Sequence, residues 1–273
     1  MHYKKITFIG SGNMARAIVL GMLEDNYPTA MLTMTNRSAK KLDYYSERGI
    51  QVTQDNGAAV KDADVVVLTV KPYQIQEACR ELVGKLKKDV LIISVAAGIT
   101  TEFITQCLSG AYAVVRAMPN TALAVSAGVT GVFANDYVTA TQEELVEEIF
   151  AAISLIVWLE DETLIPVVTA VSGSGIAYYF RFMELMECEA VNMGLPAEVV
   201  KVMVAQTALG AAKLALELDD DFKKLCENVT SPNGTTERAL AVMDENNLGV
   251  TVQNVMRAAF NRSKEITEEL CKL

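Results

Sequence analysis

Histidine is almost absent from this chain; the one copy is His2. That leaves a serine triad without its base, because the triad needs an imidazole between hydroxyl and carboxylate. It also removes the ligands of a histidine-rich zinc site, and the acid/base of dehydrogenases that use histidine on an alcohol. No metal site is expected. Cationic side chains are in the minority, 24 Lys and Arg against 34 Asp and Glu, giving a net charge of −10. Phosphate backbones bind basic surfaces, so nucleic acid is not an expected partner. A small anionic ligand stays open, since it answers to local donors rather than to net charge. The five cysteines (Cys79, Cys107, Cys188, Cys226 and Cys271) form no CxxC pair and read as scattered reduced thiols. Uninterrupted apolar runs fall short of the ~18 residues that a membrane span needs. Met1 to Lys5 lead straight into a strand and a glycine turn, too soon for a cleaved signal peptide. A cytoplasmic protein with no membrane partner is the expectation.

What is present divides into two halves. With 273 residues, the chain is long enough for two domains. Strand-like runs at 4–9, 31–35, 50–53, 63–70, 90–94, 113–117, 128–134 and 156–159 alternate with helical periodicity at 13–24, 39–48, 73–86, 101–108 and 142–154. That alternation predicts an α/β fold, a Rossmann-like, doubly wound and mostly parallel sheet over residues 1–160. Beyond Glu160 strand signals stop. Helices fit 162–171, 174–193, 197–217, 236–246 and 250–271, so 161–273 reads as an all-helical domain for substrate and dimerisation. Gly194-Leu195-Pro196 marks a stop and a restart. A slender helical domain buries its apolar faces best against a second copy, so a homodimer or an assembly of dimers is expected.

Gly10-Ser11-Gly12-Asn13-Met14-Ala15 is a GxGxxA run that follows a strand and opens a helix. In that setting Gly10 permits the tight turn, Gly12 lets backbone approach a pyrophosphate, and Ala15 lets helix and strand pack closely. The helix start then offers free N–H groups to the phosphates. The second strand ends in Thr35-Asn36-Arg37-Ser38, without the acid that binds a ribose 2′-hydroxyl in NAD enzymes. Arg37 can pair with a 2′-phosphate instead, which favours NADPH with NADH as the alternative, or is a solvated loop charge. Val70-Lys71-Pro72 closes the fourth strand at the cofactor edge, where Lys71 is either a contact or a solvated charge. Ser94-Val95-Ala96-Ala97-Gly98 closes the next with small residues that suit close approach to a nicotinamide or simply close packing.

Two later segments stand out: Val171-Ser172-Gly173-Ser174-Gly175 at a helix junction, and Val229-Thr230-Ser231-Pro232-Asn233-Gly234-Thr235-Thr236-Glu237 before a helix. The second is rich in hydroxyls and turn formers. Taken alone it serves equally as a carboxylate site at a helix start or as an ordinary N-cap.

Together FIGSGNMA, VVLTVKP, SVAAGI, RAMPNT, AVSGSGIAYYF, QTALGAAK and VTSPNGTTERAL resemble the pyrroline-5-carboxylate reductase family, in family order over essentially the whole chain. The resemblance implies reduction of the C=N bond of 1-pyrroline-5-carboxylate to L-proline by hydride from NAD(P)H, the last step of proline synthesis. It implies that Gly10, Gly12, Asn13, Met14 and Ala15 hold the pyrophosphate. Asn36 and Arg37 would lie near the adenosine ribose, and Asn56 would contact a ribose. Val70, Lys71, Pro72, Ala96 and Ala97 would line the nicotinamide end, and Asn228 would touch the cofactor across a domain or subunit boundary. Glu162 would be a substrate-side acid. Ser231, Gly234 and Thr235 would bind the substrate carboxylate, and Thr236 would hydrogen-bond the imine nitrogen. The chain departs from the family pattern at Ala122 and Ile176, where proline is usual, and at Ser126 and Asn233, where glycine is usual. An imine that arrives already protonated needs no strong acid, which suits a chain with so little histidine. The alternatives are reduction of another cyclic imine acid and a non-catalytic NADP-binding regulator. The intact 231–236 segment opposes the regulator. A β-hydroxyacid dehydrogenase is opposed by the lack of a lysine on the helix after Ser172.

Overall fold

The computed structural model describes residues 3–272; His2 lies outside them. Eight strands form one sheet: β1 (Ile6–Ile9), β2 (Leu32–Thr35), β3 (Gln51–Thr53), β4 (Val65–Leu68), β5 (Leu91–Ser94), β6 (Ala113–Pro119), β7 (Gly128–Ala134) and β8 (Ser154–Trp158), in the order β3-β2-β1-β4-β5-β6-β7-β8. Pairing is parallel except between β6 and β7. Helices α1 (Asn13–Glu24), α2 (Asp43–Ser46), α3 (Asn56–Ala59), α4 (Ile75–Leu82), α5 (Thr101–Leu108) and α6 (Ala140–Phe150) connect the strands. The doubly wound, mostly parallel sheet expected from the sequence is the fold found.

The central strands are hydrophobic along their whole length because both faces are covered. Alternate residues feed two cores. Phe8, Val65, Val67 and Ile93 pack with Ile18 and Met22 of α1 and with Ile149 and Phe150 of α6. Ile9, Val66, Leu68 and Ile92 pack with Ile75 and Leu82 of α4 and with Phe103 and Ile104 of α5. Each such fully buried side chain contributes about 1.5–3 kcal/mol.

Several elements differ from expectation for local reasons. The helix read over 73–86 stops at Leu82, because Val83 turns extended and Gly84 takes a φ of +70°. The 39–48 helix is a 3-10 turn at Ala39–Lys41 and a single α turn. The 162–171 helix is a 3-10 turn (Glu162–Leu164), the short α7 (Ile165–Val168) and one π turn (Thr169–Gly173), with Ser174 N–H donating to the Thr169 carbonyl at 2.7 Å. No apolar periodicity in the sequence foretells α3. Its sign was Asp55, whose side chain accepts the Ala58 N–H at 2.9 Å.

Compactness divides the chain into two units. One extends to Ser174 and takes in the chain from Ala259 onward; the other is Gly175–Ala258. The second unit holds α8 (Gly175–Asn192), α9 (Ala197–Glu217), α10 (Phe222–Asn228), α11 (Thr235–Glu245) and the first half of α12 (Leu248–Leu270). The α8–α9 corner is the stop and restart read from the sequence: Gly194 has φ +107° and Pro196 caps α9. This unit buries little of its own apolar surface. Val200 and Val204 are buried, whereas Phe180, Val202 and Leu216 are 65, 67 and 84 % exposed. Two helical stretches, Glu162–Asn192 and Ala197–Glu217, are long and apolar enough to cross a membrane by length and composition.

Candidate active site

Strand register aligns the carboxyl ends of four strands: Ile9 pairs with Thr35 and Leu68, and Leu68 pairs with Ser94. The residues that follow therefore share one edge of the sheet, at the reversal between β1 and β4 where such folds bind ligands. Gly10, Gly12, Asn36, Val70, Lys71, Pro72, Ala96 and Ala97 all lie in these exits.

Gly10 adopts φ +105°, and a β-carbon there would stand 3.0 Å from the Thr69 carbonyl and from Val70. Its N–H donates to the Thr35 carbonyl at 3.2 Å, and the Thr69 hydroxyl donates to the carbonyls of Ile9 and Gly10 at 3.1 and 2.9 Å. Gly10 is thus required by the turn itself. Gly12 is different: it caps α1 with no side-chain bond, and a β-carbon there would meet nothing within 4 Å. The N–H groups of Asn13, Met14 and Ala15 have no acceptor among the described residues. Ala15 is fully buried against the sheet. Open space over a helix start with unclaimed donors fits a pyrophosphate, and a side chain at Gly12 would fill it.

The adenosine end of the motif is a hydrogen-bonded chain. Asn36 donates from Nδ2 to Ser11 Oγ at 2.8 Å and accepts the Ser38 N–H at 2.9 Å. Asn56 accepts the Thr35 hydroxyl and donates to Glu81, both at 2.6 Å. Arg37 lies 2.6 Å from Glu77 and 3.7 Å from Glu81. The Glu77 hydrogen bond holds the Arg37 guanidinium above its ordinary pKa. Lys71 is exposed, Pro72 opens a 3-10 turn, Ala96 is buried and Ala97 exposed.

In the helical unit, Gly234 is the N-cap of α11 and carries no side-chain cap. The segment thus caps its helix through a glycine and leaves its hydroxyls out of the cap. A β-carbon at Gly234 would stand 2.9 Å from the Ser231 carbonyl, whose oxygen accepts the Gly234 N–H at 3.0 Å. The hydroxyls of Ser231, Thr235 and Thr236 and the N–H groups of Thr235 and Thr236 have no partner among the described residues. Asn233 has φ +58°, and its N–H donates to Glu237 at 2.7 Å. Ser126, the other departure from a usual glycine, has φ +52°. Both keep the left-handed backbone that glycine takes most easily. The Ala122 N–H donates to Asn120 Oδ1 at 3.2 Å, a bond that a proline could not make. Nothing in the structure explains Ile176. Asn228 ends α10 and donates to Asp220 at 3.1 Å.

Glu162, expected from the resemblance as a substrate-side acid, is held by Thr101 and Arg116. Its carboxylate accepts the Thr101 N–H and hydroxyl, both at 2.9 Å, and lies 3.0 Å from Arg116. All of these belong to the first unit. Thr101 and Arg116 are not among the residues expected at the site, nor is Asn120, a buried amide that donates to the Ser172 carbonyl at 3.3 Å. A charged residue in an otherwise apolar strand, as at Arg116, is the sign available in the sequence.

A doubly wound sheet with a glycine turn over a helix start that has no side-chain cap defines a dinucleotide-binding protein with an appended helical domain. Residues 5–98 match the family model "NADP oxidoreductase coenzyme F420-dependent", and residues 162–266 match "Pyrroline-5-carboxylate reductase dimerisation". The chain is 40 % identical over 271 residues to pyrroline-5-carboxylate reductase of Pseudomonas aeruginosa, covering 99 % of each. It superimposes on a pyrroline-5-carboxylate reductase from Coxiella burnetii with TM-score 0.93 and 44 % identity, covering 97 % of this chain and 99 % of the other. The Plasmodium falciparum pyrroline carboxylate reductase, solved with NADP bound, gives 0.87 and 27 %, covering 98 and 99 %. The chain belongs to the pyrroline-5-carboxylate reductase family.

Proposed function

We propose that this protein reduces (S)-1-pyrroline-5-carboxylate to L-proline with NADPH or NADH. The cofactor, when bound, supplies a hydride to the C=N carbon. Gly12 and the N–H groups of Asn13, Met14 and Ala15 hold the pyrophosphate; Asn36, Arg37 and Asn56 hold the adenosine end. Val70, Lys71, Pro72, Ala96 and Ala97 line the nicotinamide end, and Asn228 contacts the cofactor from the helical domain. Residues 1–160 form the cofactor domain and 161–273 the substrate and dimerisation domain.

The observation that carries the reading is the start of α11, which has no side-chain cap, with hydroxyls on Ser231, Thr235 and Thr236 that have no partner among the described residues. An anion is the natural partner of such a helix end. Ser231, Gly234 and Thr235 take the carboxylate, and Thr236 steadies the ring nitrogen as it becomes an amine. A protonated imine is already electrophilic, so the chain's task is orientation and charge placement. Glu162 anchors Thr101 and Arg116.

The exposed apolar faces of α8 and α9 support a homodimer, or an assembly of dimers, in which a second copy covers them. The reading is of a cytoplasmic enzyme with a small-molecule substrate, and the net charge of −10 opposes a nucleic-acid partner. Initial rates of nicotinamide oxidation, measured with 1-pyrroline-5-carboxylate and with six-membered imine acids, test the assignment. The five-membered ring is expected to give the higher kcat/KM. A preference for the larger ring would refute it.

A further inference from the structure

We propose that Glu77 sets the discrimination between phosphorylated and unphosphorylated cofactor, by competing with a ribose 2′-phosphate for Arg37. This rests on the cofactor reading above. The end of β2 lacks an acid in sequence, yet α4 supplies two through space. Glu77 and Glu81 are one turn apart and so share a face of α4. Glu77 holds Arg37 at 2.6 Å. Glu81 lies 3.7 Å from the same guanidinium and accepts from Asn56 at 2.6 Å. Asn56 in turn accepts from Thr35, the last residue of β2.

Arg37 is therefore not a free cation awaiting a phosphate. A 2′-phosphate must displace the Glu77 carboxylate or share the guanidinium with it, and the carboxylate then faces a dianion of like charge. A 2′-hydroxyl makes no such demand, and a carboxylate can accept its proton. The Arg37 and Glu77 side chains are each 59 % exposed, so solvent and salt screen the pair. The effect is a severalfold tuning of selectivity.

The test is calorimetric titration of NADPH and of NADH into the full-length protein and its Glu77→Gln variant, with no substrate present. Glu77 is exposed on α4 and glutamine is close to isosteric, so the fold is retained. The variant is expected to bind NADPH about three- to tenfold more tightly at low salt, with NADH changed by less than about twofold. The gain should shrink as salt rises. Glu81→Gln, which lies farther from Arg37 at 3.7 Å and bonds Asn56, should shift the NADPH-to-NADH ratio less than Glu77→Gln does. An unchanged NADPH-to-NADH ratio in Glu77→Gln, or equal tightening of both, overturns the inference and leaves the cofactor reading intact. A wild-type protein that binds neither cofactor overturns that reading, and this inference with it.

Discussion

Glu162 reaches back from the chain after β8 to Arg116 in β6, with 3.0 Å between carboxylate and guanidinium. Only 4 % of the Arg116 side chain and 18 % of that of Glu162 are exposed. Removing one partner of a buried pair leaves an uncompensated charge. Glu162→Ala is expected to lower the stability to urea by about 2–4 kcal/mol. It should act on folding rather than as a selective loss of substrate affinity. A variant of wild-type stability with a raised KM would return Glu162 to the substrate.

Gly10 and Gly12 sit two residues apart and answer to different demands. Gly10→Ala must hold φ +105° against the Thr69 carbonyl, and is expected to cost about 2 kcal/mol or more of stability. Gly12→Ala has φ −77° and no neighbour to strike. It should melt as wild type does and bind NADPH about tenfold or more weakly, because its methyl enters the pyrophosphate space. Thermal melts and cofactor titrations separate the two. Equal effects on both properties at both sites would contradict the division.

Thr236 presents a hydroxyl with no partner in the described chain. A bond that strengthens as the imine becomes an amine affects turnover more than ground-state binding. Thr236→Ala is expected to reduce kcat by about tenfold or more with a smaller rise in KM, and Thr236→Ser to restore most of it. Unchanged kcat in the alanine variant would remove Thr236 from the chemistry.

The apolar faces of α8 and α9 are expected to be the contact between copies. Carboxylates placed there cannot be desolvated without loss of association. The double variant Phe180→Glu, Val202→Asp should sediment as a species no more than half the wild-type mass, with the sheet domain folded. An unchanged mass would move the interface elsewhere.

How far the sequence alone reaches follows from these residues. The strands and the glycine turn were legible because a parallel sheet covered on both faces writes continuous apolar runs, and because GxGxxA needs its strand and helix around it. The 231–236 corner was legible as a concentration of hydroxyls, but whether it capped its own helix was settled only by finding Gly234 at the cap. The roles of Arg37 and Glu162 were not legible. Each is set by a partner far along the chain, Glu77 in one case and Arg116 in the other, and no local pattern announces a pairing across 40 or 46 positions. The helix expected at 39–48 was shortened and that at 162–171 broken into mixed turns, where tertiary packing outweighs a weak local preference.

The central claim is that hydride passes from nicotinamide to the C=N carbon of a five-membered imine acid. It is tested most directly by supplying NADPH deuterated at the transferring position of C4 together with 1-pyrroline-5-carboxylate, and reading the product by NMR. L-proline carrying one deuterium on the ring carbon next to nitrogen, on the side away from the carboxylate, is expected. Proline without deuterium at that carbon, or cofactor oxidised with no proline formed, would contradict it.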